Sequence, residues 1–186
     1  MAYVLFISEN KIKDSTAIGG NVDMEFMLPY IKVAQKKYIE TKLGTDLFEA
    51  LQTKITASSL AGAYQTLVDD YIQDALVHFA FYECLPFLRF KVSNGNIYAK
   101  SSETGTALST DEAQHLREEI RNTAEFYTQR LIDYIKNNTS SFPEYSTSSG
   151  ADITPDKDAY YSGMNLEIDR QKRGITLDDF LTPDLS

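Results

Sequence analysis

The sequence predicts an all-α fold: a four-helix bundle that carries a projecting β-hairpin and ends in an extended C-terminal tail. Three observations lead there. Apolar residues recur at spacings of three and four through most of residues 23–145, as in helices that bury one stripe. One pair of short alternating runs, on either side of Asn94-Gly95, interrupts that pattern. From residue 140 onward nine acids stand against four bases and apolar residues thin out, a composition that cannot pack a core of its own.

The first helix is expected from about Pro29 to Leu43, because proline is tolerated only in an opening turn, with Ile31, Ala34, Tyr38 and Ile39 on its buried side. Gly44 supplies the stop, and Thr45 is expected to cap a short second helix that buries Leu47, Phe48 and Leu51. A long third helix starts near Ser59. Leu67, Tyr71, Ala75 and Phe79 mark its stripe, and residues 75–88 are apolar almost all round, which makes them the central element; Pro86 is expected to kink or end it. Ser109 and Glu112 form a capping box for the fourth helix, whose stripe runs through Leu116, Ile120, Ala124, Tyr127, Leu131 and Ile135. The expected organisation is an N-terminal arm (1–22), a helical domain (23–145) with a hairpin at 88–100, and a tail (146–186) of which residues 151–186 should be removable without unfolding the rest.

Pairing across Asn94-Gly95 sets Val92 against Ile97, Lys91 against Tyr98 and Phe90 against Ala99. Alternation then makes one face apolar and gives the other Arg89, Lys91, Tyr98 and Lys100. A lone two-stranded hairpin is marginal in water, so its apolar face and open edges need a cover. Either the chain's own helices or a neighbouring copy can supply that cover, and in the second case Phe90, Val92, Ile97 and Tyr98 are the expected subunit-interface residues. Arg89, Lys91 and Lys100 make a positive tip suited to an acidic patch on another copy or to DNA. In the tail, Tyr160, Tyr161, Leu177, Phe180 and Leu181 break the polar run as docking anchors.

Composition removes several classes of function. With 18 Lys and Arg against 27 Asp and Glu, a net charge of -9 opposes general affinity for nucleic-acid phosphates and leaves only a local basic contact. Cys84 is the single cysteine, so neither an internal disulfide nor a thiolate zinc cage is available. His78 and His115 lie on different helices without ligand spacing, and His78 reads as a core histidine. Asp69-Asp70, like Glu118 and Glu119, diverge by about 100° around a helix and read as wetted surface. Gly19-Gly20 lacks the frame of a phosphate loop. No catalytic, cofactor or metal residue is expected, and no enzymatic activity. The Tyr3–Ile7 run is too short for a signal peptide, and Asp69, Asp70, Asp74, His78 and Glu83 break the longest apolar segment, so no membrane partner is expected.

The succession IGGNVDMEFMLPYIKVAQKKYIETKLGTDLFEAL, LVDDYIQDALVHFAFYECLPFLRFKVSNGNIY, RNTAEFYTQRLIDYI and FPEY resembles the head-tail connector (adaptor and ring) proteins of tailed bacteriophages, nearest to those of crAss-like and related phages of Bacteroidetes hosts. The likeness covers about residues 5–145. Leu85-Pro86-Phe87 and Lys91-Val92-Ser93-Asn94 match the helix-to-hairpin junction, whereas Gly95-Asn96 departs from it. The resemblance implies an adaptor-type bundle in a dodecameric homo-oligomeric ring. Its place would be the virion neck, between portal protein and adjacent tail rings, around the DNA channel, after assembly in the host cytoplasm. The competing reading is a monomeric binding module or assembly chaperone whose C-terminal peptide docks a single partner.

Overall fold

The computed structural model describes residues 3–18, 22, 25–93, 96–99, 109–147, 149 and 153–158; along 89–99 the description is of the backbone. The protein is mostly helical. Ser8 starts α1 (Glu9–Ser15), its hydroxyl accepting the Lys11 N–H at 3.3 Å. A 3-10 turn, Glu25–Met27, leads into α2 (28–43), which has Pro29 in its first turn. Within α2 the α-helical Leu28–Ala34 widens to a π-helical Gln35–Glu40 and closes with Thr41–Leu43. Gly44 then adopts φ 75°, ψ 161°, a region that essentially only glycine occupies, and α3 (Thr45–Thr56) begins at the next residue.

The central helix α4 (63–89) joins Ala63–Thr66, a π-helical Leu67–Ile72 and Gln73–Arg89. It runs through Pro86, which has no N–H to donate to the carbonyl one turn back, for three more residues. Its end continues directly into β1 (Phe90–Ser93), which pairs antiparallel with β2 (Asn96–Ala99). The 28-residue α5 (Thr110–Asn137) opens on the expected capping box: Ser109 N–H donates to Glu112 Oε2 at 2.8 Å, and Glu112 N–H to Ser109 Oγ at 3.2 Å.

The core forms around α4, which packs against α5, α2 and α1. Ala75, Leu76, Val77, Phe79, Ala80 and Cys84 are buried along it. Each buried leucine, isoleucine or phenylalanine contributes about 1.5–3 kcal/mol. Tyr38 stacks on Phe79 with centroids 4.0 Å apart, and Tyr71 on Tyr134 at 4.2 Å, tying α4 to α2 and α5. No helix among the described residues is long and apolar enough to cross a membrane.

Two boundaries differ from the sequence expectation. Residues 1–22 are, where described, not an arm but part of the core: Phe6, Ile7, Ile12 and Ile18 are all buried, and α1 is a helix beyond the four expected. Three glutamines hold this extended segment where a sheet neighbour would otherwise be needed. Phe6 N–H donates to Gln35 Oε1 and Gln35 Nε2 to the Val4 carbonyl, both at 2.8 Å. Gln52 Nε2 and Gln73 Nε2 add bonds of 3.2 Å to the Val4 and Phe6 carbonyls. Satisfied backbone is what lets the segment be buried at all.

The second difference is the tail, expected from residue 146. Residues 153–158 are bound to the α2–α3 corner, where Thr45 N–H donates to the Ile153 carbonyl at 3.0 Å and Asp156 N–H to the Thr41 carbonyl at 2.8 Å. Thr45 therefore does not cap α3 with its hydroxyl, which accepts the Ile153 N–H at 3.1 Å instead. The helical domain includes this strap, and a cut at residue 150 removes part of its packing.

Candidate assembly interface

Phe26 and Tyr30 stand one helical turn apart, with Val33 a further turn along, and the sequence spacing of four and three puts them on one side of the chain leading through α2. Phe87 approaches from α4. Its ring lies 5.0 Å from that of Tyr30, which is 5.3 Å from Phe26. Phe26, Val33 and Phe87 remain 39%, 47% and 44% exposed. Phe87 precedes the first residue of β1 by three positions, so this aromatic patch forms at the root of the ribbon. Desolvation among these rings, with a smaller effect of Cys84, raises the Tyr30 phenol above its ordinary pKa.

The ribbon has the register Phe90 to Ala99, Lys91 to Tyr98, Val92 to Ile97 and Ser93 to Asn96. Among the described elements, its broad contacts are between its own strands and with the helix it continues. The side chains of Arg89, Phe90, Lys91, Val92, Ile97 and Tyr98 lie outside the described part. So do Lys100, the Asn94-Gly95 turn and the tail anchors Tyr160, Tyr161, Leu177, Phe180 and Leu181. Sequence reasoning passed over Phe26, Tyr30, Val33 and Phe87. The signal was present as a second apolar stripe beside the one through Ile31, Ala34 and Tyr38, but a stripe does not say which of two faces meets the core.

Elsewhere along α4 the contacts are internal. Glu83 accepts from Lys37 Nζ at 2.9 Å and from the Tyr38 hydroxyl at 2.6 Å, pinning α4 to α2. Cys84 is fully buried with its sulfur 3.0 Å from Met27 Sδ. His78 is half-buried and parallel to the Tyr127 ring at 5.4 Å; desolvation lowers its pKa against the opposing charge of Asp74. Arg117 lies over Tyr82 with its guanidinium carbon 4.1 Å from the ring centre. Among the described residues no three His, Cys, Asp or Glu side chains converge as metal ligands. The crevice between Gly44, Asp46, Glu144 and Pro155 has a volume of about 10 Å³, room for one water.

These features define a mostly helical protein with a two-stranded ribbon on its central helix and an apolar patch at the ribbon's root. The chain belongs to a family of unknown function (DUF6712), whose model matches residues 39–155, from within α2 to Pro155 of the strap. No curated protein and no solved structure matches it.

Proposed function

We propose that this chain is a structural subunit of a closed ring in the neck of a tailed phage, joining portal to tail around the DNA channel. The observation that carries the proposal is the open aromatic patch at the ribbon's root. Phe26, Val33 and Phe87 expose apolar surface beside strand edges that have no partner strand among the described residues. We read the ribbon as projecting from an adaptor-type bundle. Patch and ribbon are then two different surfaces, which is what a head-to-tail interface needs if rotation is to close a ring. The resemblance to head-tail connectors supports the same reading and is the source of the dodecameric copy number. A net charge of -9 suits a lumen past which DNA slides, because like charges repel.

The test is electron microscopy of the parent particle, with negative-stain images of the purified chain alone and with its portal. Copies in the neck and closed rings are expected. Absence from the neck, with no ring under any condition, rejects the proposal. Phe87→Asp should abolish rings while leaving helical circular dichroism unchanged; rings that persist would exclude the patch from the interface.

A further inference from the structure

The strap occupies a seat whose parts are specific. The Thr45 N–H donates to the Ile153 carbonyl, the Ile153 N–H donates to the Thr45 hydroxyl, and the Asp156 N–H caps the Thr41 carbonyl. The Pro155 ring lies where a side chain on Gly44 would be, with two ring carbons 2.7 Å from that position. Lys42 is 1% exposed, and among the described residues its ion-pair partner is Asp156, at 2.5 Å. The seat thus holds a half-buried aliphatic residue by its backbone, admits a proline against the bare Cα of Gly44, and pairs an aspartate with a buried ammonium group. Thr154 is exposed.

The same pattern recurs in the chain. Ile153-Thr154-Pro155-Asp156 is matched at the C terminus by Leu181-Thr182-Pro183-Asp184. A nearer echo, Ile175-Thr176-Leu177-Asp178, lacks the proline and serves as an internal control.

We propose that the corner of α2 and α3 is a recognition site for an aliphatic-Thr-Pro-Asp peptide, and that Leu181–Asp184 of a second copy of this chain is its other ligand. Within one chain the seat goes to Ile153–Asp156, because only residues 146–152 separate that motif from the buried Tyr145, and a short link gives a high local concentration. The C-terminal motif competes when another copy brings it close, by exchanging one proline and one aspartate for their equivalents. The inference needs self-association but not a phage neck, so it can fail while the ring stands, and the reverse.

The experiment uses the full-length chain. Ile153→Leu turns the resident motif into the C-terminal one and should leave the melting temperature within about 1 °C; a loss of several degrees would mean the two motifs are not equivalent and overturn the proposal. Asp156→Ala opens the seat. A labelled synthetic peptide of residues 178–186 should bind this variant in fluorescence anisotropy at least tenfold more tightly than the same peptide with Asp184→Ala or a peptide of residues 172–180. Equal binding of all three, or none, overturns it. If Asp156→Ala does not fold alone, recovery of helical circular dichroism on refolding with the peptide takes the place of anisotropy, and no recovery rejects the seat. Light scattering then identifies the donor. Asp156→Ala should associate with rising concentration and the double variant with Asp184→Ala should not; association that is the same in both, or absent from both, overturns delivery by a second copy.

Discussion

The α2–α3 corner and the root of the ribbon treat their chemistry in opposite ways. At the corner, a lysine taken almost wholly out of water is answered by an aspartate 114 residues away, and a glycine leaves space that a proline fills. At the root, Phe26, Val33 and Phe87 keep 39–47% of their surface in water although all three are large and apolar. A buried cation without a partner is among the costliest features a fold can carry, so the corner has to be closed by an acidic side chain, here that of Asp156. An exposed ring costs far less and can wait. Substitutions in the first region should therefore act mainly on stability, and in the proposed ring the second is a surface where association can change without altering the subunit.

Substitutions should separate the two. Gly44→Ala carries the largest expected effect: it forces a side chain onto φ 75° and into the Pro155 ring, and should cost about 3 kcal/mol in urea unfolding. A loss under about 1 kcal/mol would show the strap to be loosely held. Asp156→Ala should cost about 2 kcal/mol, less than the about 3–5 kcal/mol of a fully buried pair because Asp156 is 48% exposed. Lys42→Met, which removes the charge but keeps the stem, should cost less than that; the reverse order would assign the cost to packing. Phe87→Asp should change stability by only about 0.5 kcal/mol, and a larger loss would move the patch from the association side of the comparison to the folding side.

Titration gives the smallest effects. Bonds from the Ser149 hydroxyl and N–H, at 2.6 and 3.0 Å, hold the Asp46 carboxyl below its ordinary pKa. A depressed folded pKa means that this contribution is present above the unfolded value and fades as pH falls through the folded one. Ser149→Ala should therefore flatten the acid limb between about pH 5 and about pH 3 in urea-midpoint measurements. Tyr64 shows the opposite sign. Burial, then the hydrogen bond to Glu144 and its charge, push the phenol up to about 12, so its contribution is complete below the unfolded value of 10.0 and disappears as pH rises toward 12. Tyr64→Phe should remove that alkaline loss.

The helices were readable where one local rule sufficed. Gly44 ended α2, Ser109 and Glu112 opened α5, and Ala75 to Cys84 formed the centre, each from residues within a few positions of one another. The N-terminal segment was not, since Val4 and Phe6 are held by Gln35, Gln52 and Gln73, polar residues whose pattern gives no sign that they face inward. The strap was hidden for a related reason. Polar composition says whether a segment can build a core of its own, and nothing about whether it fits into a seat already built. The aromatic patch was half visible, as residues without knowledge of their side.

The amino-acid sequence by itself determined that this protein is mostly helical, where the helices are punctuated, and that an Asn-Gly pair divides two short alternating runs, because backbone propensity and capping act over a single turn. Only the tertiary structure decided that Lys42 is buried, that residues 153–158 belong to the helical domain, and that Phe26, Tyr30 and Phe87 meet at the ribbon's root. Those are contacts between residues far apart along the chain, and the burial that creates them is a property of the packed whole.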